Sequence, residues 1–132
     1  MKQLKDKQVL TVDDEMGVRE LIETMLMTTP WFKRVIHAKD GAEAWCKIQK
    51  QEFDLIIVDL CMPKINGLEL IGMIKANMKY KNIPIVIVSA QMGKEELYKI
   101  VSMGVKDMVV KPFKRDMMIN TVVKAIGPDQ LL

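Results

Sequence analysis

Asp54-Leu55-Ile56-Ile57-Val58-Asp59-Leu60-Cys61-Met62-Pro63 is an apolar run closed by an acid and followed at once by a loop. Leu55 to Val58 offer no polar face, so the run predicts a strand covered on both sides, as in a parallel sheet. Asp59 stands where that strand leaves the core. Pro63 cannot continue a ladder, and Asn66-Gly67 marks a turn. A carboxylate at the carboxyl end of a buried strand lies where open α/β sheets carry their chemistry.

Toward the amino terminus, Gln8 to Val12 reads as a short apolar strand ending in Asp13-Asp14. Val18, Leu21, Ile22, Met25 and Leu26 then recur at helical spacing until Thr28-Thr29-Pro30 ends the helix. Val35 to Ala38 is a weaker strand, and Asp40-Gly41 opens a helix carrying Ala42, Ala44, Trp45 and Ile48. Beyond the opening stretch, Asn66 caps a helix with Glu69 three residues on, close to a capping box, and Leu68, Ile71 and Ile74 face its core side. Ile83 to Val88 predicts a fourth strand, ending in Ser89-Ala90. A helix over about 94–102 presents Leu97, Ile100 and Val101 on one face and is closed by Gly104. Asp107 to Val110 is a fifth strand, ending in Lys111-Pro112. The last helix uses Met117, Met118, Thr121, Val122 and Ala125, and Gly127-Pro128 stops it.

Strands alternating with helices predict an α/β class: a doubly wound five-stranded parallel sheet with helices on both faces and right-handed crossovers. Residues 1–127 read as one domain and 128–132 as a C-terminal tail or linker stub. The 132 residues suit a single core, and 49% hydrophobic with 28% charged residues excludes a disordered chain. Twelve methionines read as soft core filling. Net charge is +3, but the basic residues are scattered and not interleaved with aromatics, which argues against direct nucleic-acid binding. Apolar runs are strand-length, no apolar signal segment opens the chain, and Cys46 and Cys61 lack nearby His pairs. The expectation is a cytoplasmic protein with no membrane partner.

Just beyond the strands stand Asp13 and Asp14, then Asp59, then Ser89, then Lys111. A parallel sheet brings these ends to one edge. Singly, each is most simply a cap, a turn residue or a solvated charge. Jointly, three crowded carboxylates call for a cation, and hard oxygens suit Mg2+. Lys111 adds a point charge and Ser89 a hydroxyl. That is equipment for stabilising a phosphoryl group in transfer, with Asp59 as nucleophile and Asp13 and Asp14 holding the metal.

Val12-Asp13-Asp14-Glu15, Asp59 to Pro63 with Asn66-Gly67, Val88-Ser89-Ala90 and Lys111-Pro112-Phe113 make the chain similar, over about residues 8–126, to a known family. It resembles the receiver domain of two-component response regulators of the chemotaxis type. The resemblance implies a flavodoxin-like fold with strand order 2-1-3-4-5. It implies that a histidine kinase or phosphotransfer protein, or a small phosphodonor, passes a phosphoryl group to Asp59. Mg2+ would be held by Asp14, Asp59, the backbone carbonyl of Cys61 and, partly through water, Asp13. Ser89 and Lys111 would bind phosphoryl oxygens, and the bond before Pro112 would be cis, aiming the lysine inward. Phosphorylation would change the face made by helix 4, strand 5 and helix 5, read by a downstream effector or a fused output domain. No enzyme is implied beyond slow Mg2+-dependent self-phosphorylation and self-dephosphorylation. A stand-alone regulator and the N-terminal receiver of a larger one, such as a transcription factor, both stay open. So does a phosphorylation-linked homodimer through the face around Tyr98 and Met108.

Some positions depart from the family pattern. Met108 stands where Tyr or Phe is frequent three residues before the lysine, so the expected signal is a methionine rotamer change. Cys61 and Gln91, two residues past Asp59 and Ser89, occupy places whose side chains tune the phosphoryl lifetime. Trp45 is expected in the core, Trp31 and Phe32 partly exposed, and the sole histidine, His37, at the surface and not a relay. A haloacid-dehalogenase-like phosphatase also uses an aspartyl phosphate and Mg2+. It normally has a second Asp two residues after the nucleophile, where this chain has Cys61.

Overall fold

A computed structural model describes residues 6–62, 65–90 and 92–131. The elements run β1 (Lys7–Val12), α1 (Met16–Leu26), β2 (Phe32–Ala38), α2 (Gly41–Lys50), β3 (Leu55–Asp59), α3 (Gly67–Lys75), β4 (Ile85–Ser89), α4 (Lys94–Ser102), β5 (Asp107–Val110), α5 (Arg115–Ile126) and α6 (Pro128–Leu131). The sheet is parallel throughout, in the order β2-β1-β3-β4-β5. Val12 pairs with Val58, Asp59 with Val88 and Ser89 with Val110, so the carboxyl ends of β1, β3, β4 and β5 line up.

Every position of β3 and β4 is buried because both faces of the sheet are covered. Val9, Leu55, Ile57, Val86, Val88 and Val109 pack with Ile22, Leu26, Met118 and Val122 from α1 and α5. Leu10, Val12, Ile56, Val58 and Ile87 pack with Ile48, Leu70, Ile71, Ile74 and Ile100 from α2, α3 and α4. Each such side chain contributes about 1.5–3 kcal/mol of hydrophobic stabilisation. Asp40 caps α2 by accepting from the Glu43 N–H at 2.8 Å, and Asn66 with Glu69 forms a full capping box on α3. Gly104 and Gly127, at φ +85° and +103°, close α4 and α5. Among the described residues, no helix is long and apolar enough to cross a membrane.

The structure corrects several expectations. β2 begins at Phe32, and Phe32 is fully buried, packing with α1 residues on one face of the sheet, whereas Trp31, edge-on to it, is partly exposed as expected. β4 begins at Ile85 and not Ile83. On α4 only Ile100 is buried, while Leu97 and Val101 project into solvent, as does Met117 on α5. Residues 128–131 form a short helix where a tail is expected, anchored by the buried Leu131. His37 is half-buried, with Nδ1 against the Thr11 hydroxyl and Nε2 against the Glu23 carboxylate. Trp45 is half-buried, packed on the core and edge-on to Tyr80.

Candidate functional site

The residues named at the strand ends converge. Asp13 follows β1, Asp59 closes β3, Ser89 closes β4 and Lys111 follows β5. Carboxylate oxygens of Asp13, Asp14 and Asp59 lie within 4.8 Å of one another. Lys111 Nζ sits among them, 3.3 Å from Asp13 Oδ2, 3.6 Å from Asp59 Oδ2 and 3.9 Å from Glu15 Oε1. Asp13 is 2% exposed and Asp59 5%, whereas Asp14 is open to solvent. The cluster is thus a pit with one exposed wall.

The backbone holds each member in place. The Asp13 N–H donates to Ala38 O at 3.1 Å, and Asp13 Oδ1 accepts the Glu15 N–H at 2.9 Å. Asp59 Oδ1 accepts the Cys61 N–H at 3.3 Å. Lys111 N–H donates to Ser89 O at 2.8 Å, and the Lys111–Pro112 bond is cis. The start of α3 lies directly on the exit of β3. The Gly67 N–H donates to Leu60 O, and a Cβ at Gly67 would stand 2.4 Å from Asp59 O.

Burial, and then the neighbouring Asp13 charge, push the Asp59 carboxyl above its usual range, against the Cys61 N–H and Lys111. Burial likewise raises Asp13, opposed by the Glu15 N–H and Lys111. Burial works against the Lys111 ammonium, yet Asp13 and Asp59 beside it hold it above the ordinary lysine value. A buried pair of acids with one lysine between them carries surplus negative charge, which a divalent cation offsets. Carboxylate oxygens with no thiolate or imidazole among the clustered donors are a hard set, and that chemistry fits Mg2+.

Other residues named from the sequence fall around this centre. Cys61 is exposed on the loop after Asp59. Met108 is half-buried on β5, opposite Ile87, and packs against the core under α2–α4. Gln91 and Pro63 lie outside the described residues. Two participants escaped the sequence: Glu15, reached by Lys111, and Arg19, whose Nη1 donates to the Asp13 carbonyl at 2.6 Å. A cation in the first turns of a helix is disfavoured by the helix dipole, and that mismatch is the signal for Arg19.

A family model described as the response regulator receiver domain matches residues 9–123. This chain belongs to the response regulator receiver family. The receiver is 34% identical over 121 residues to a chemotaxis protein CheY homolog of Campylobacter jejuni, covering 91% of this chain and 92% of that protein. It superimposes on chemotaxis protein CheY4 of Vibrio cholerae with a TM-score of 0.82 at 30% identity, over 90% and 98% of the two chains. It superimposes on response regulator TrrA of Thermotoga maritima, solved with Mg2+ and BeF, with a TM-score of 0.77 at 33% identity, over 90% and 98%. The receiver is a phospho-accepting switch of two-component signalling.

Proposed function

We propose that Asp59 is the phosphoryl acceptor of this receiver. Asp14, Asp59 and the Cys61 backbone carbonyl would hold Mg2+, with Asp13 acting partly through water. One observation carries this reading: Lys111 Nζ lies 3.6 Å from Asp59 and 3.3 Å from Asp13, beside the third carboxylate. An Asp59 oxygen attacks phosphorus, and the bond to the donor's imidazole, or to acetate, breaks with its electron pair leaving on the donor. Mg2+, when bound, supplies positive charge to the phosphoryl oxygens. Lys111 turns from the carboxylates to a phosphoryl oxygen, and the Ser89 hydroxyl donates to another. Turnover is confined to slow self-phosphorylation and self-dephosphorylation.

A groove of about 440 Å³ beside the site, lined by Val18, Leu21, Pro112 and Phe113, shares Lys111 with it. It supports a histidine kinase or phosphotransfer protein as donor, seated there by apolar contact. Exposed Leu97, Tyr98, Val101, Val110 and Met117 support α4, β5 and α5 as the output face. Met108 lies between this face and the core, and its side chain reports the phosphorylated state.

Incubation with acetyl phosphate and Mg2+, followed by intact mass measurement, tests the reading. The wild type gains one phosphoryl group, and Asp59→Asn or a chelator abolishes the gain. Labelling of Asp59→Asn at the wild-type level would sink it. Cys61→Asn changes the decay rate of the labelled protein; identical decay would remove Cys61 from lifetime control.

A further inference from the structure

Arg19 is the fourth residue of α1, near a helix end whose partial positive charge disfavours a cation, and the first turn holds no acid to offset it. Its side chain turns back toward the preceding loop, the direction helical side chains take. Among the described residues it forms no ion pair. Its guanidinium is committed to a single main-chain oxygen, Asp13 O, at 2.6 Å. A charge-assisted bond that short belongs to the stronger class.

That oxygen belongs to the peptide joining Asp13 to Asp14. The other groups of Asp13 are already engaged: N–H with Ala38 O, Oδ1 with the Glu15 N–H and Oδ2 with Lys111 Nζ. With the carbonyl held as well, the peptide plane between the two acids has no free rotation. Asp14 is different. Its carboxylate is exposed and, among the described residues, accepts no hydrogen bond, so its backbone alone aims it at Asp13 and Asp59. Mg2+ demands near-octahedral oxygen geometry, and a small swing of one ligand is costly.

We infer that Arg19 is the positioning residue of the metal site: by holding Asp13 O it fixes the peptide between Asp13 and Asp14 and with it the direction of the Asp14 carboxylate. This rests on Asp13, Asp14 and Asp59 being the metal-holding acids. Arg19 touches neither metal nor phosphoryl group.

The experiment uses Arg19→Met, which keeps the aliphatic stem and removes the donors, and Arg19→Lys, which restores one cationic donor. Mn2+ serves as the probe of the oxygen site, its free fraction read by electron paramagnetic resonance, and Mg2+ is measured by competition. Arg19→Met raises the Mn2+ Kd about 10-fold, the effect expected when a group orienting a ligand is lost. Arg19→Lys recovers most of the affinity. Metal-free Tm moves little, and acetyl phosphate labelling of Arg19→Met returns to the wild-type rate at saturating Mg2+. An unchanged Mn2+ Kd overturns the inference. So does a labelling defect that excess Mg2+ does not restore, which would assign Arg19 to folding or to the phosphoryl step. If Arg19→Met does not fold, the same titration on Arg19→Gln decides with the same outcomes. A wild type that binds no Mn2+ removes both this role and the metal reading. A wild type that binds Mn2+ but is never labelled at Asp59 leaves Arg19's role intact and removes the acceptor.

Discussion

Asp59, the proposed nucleophile, is held where a carboxylate is electrostatically uncomfortable. Burial and the Asp13 charge raise its carboxyl above the ordinary range. The native chain therefore holds a proton that the unfolded chain has released, and stability falls as pH rises from the ordinary carboxylate value through the raised one. Lys111 has the opposite sense. Its raised ammonium contributes stability that is complete below the ordinary lysine value and is lost only as pH climbs through the folded one. In chelator at pH 7, Asp59→Asn melts about 3 °C above wild type, a gain on the order of 1 kcal/mol. The gap narrows as pH falls toward about 4, and saturating Mg2+ reverses the order because only the wild type keeps the full donor set. Melts across a pH series check this; a metal-free Asp59→Asn that melts below wild type throughout would contradict it. At this scale the sequence was most informative for Asp13, Asp14, Asp59, Ser89 and Lys111, because each is a chemical group at a strand end. Arg19 stayed hidden because it acts on a carbonyl, and every residue has one.

Among the elements, α3 shows how tightly the exit of β3 after Asp59 is built. Gly67 begins the helix where a Cβ would meet Asp59 O at 2.4 Å and the Leu60 Cα at 2.6 Å, both backbone atoms that cannot give way cheaply. Gly67→Ala is expected to cost about 1–3 kcal/mol by overpacking and to slow labelling of Asp59. Gly72, in the same helix, has open space around a built Cβ, so Gly72→Ala stabilises by up to about 1 kcal/mol through helix propensity. Urea unfolding of the pair checks both signs, and equal stabilities would refute the steric argument. The elements also show where pattern reading stops. Leu97, Ile100 and Val101 share a helical stripe, but only Ile100 meets the core. Periodicity says that an apolar face exists, not what covers it. The start of β2 is hidden in the sequence because Lys33 and Arg34 are exposed there, as suits the edge of a sheet, and they mask the buried Phe32.

Across the whole molecule, the proposed switch carries an event at Asp59 to the α4–β5–α5 face. Met108, half-buried on β5 and packed against the core, is the side chain proposed to relay it. Its three rotatable bonds let it refill space without the all-or-none motion of a ring. Addition of beryllofluoride with Mg2+ is expected to shift the Met108 methyl resonance in protein labelled at methionine methyls and to change its rotamer in crystals. An unchanged methyl in the saturated complex would take Met108 out of the switch.

The order of residues by itself determined the alternation of strands and helices, the burial of β3 and β4 on both faces, and the identity of the chemical groups at the strand ends. These are local properties, set by side-chain period, chain-breaking residues and caps. Only the tertiary structure decided that Lys111 reaches Asp13, 98 residues away, that Asp14 alone among the clustered acids stays open, that Leu131 folds back to be buried, and that Arg19 closes on the Asp13 carbonyl. Those contacts depend on how whole elements pack, and packing is a property of distances that no local pattern contains.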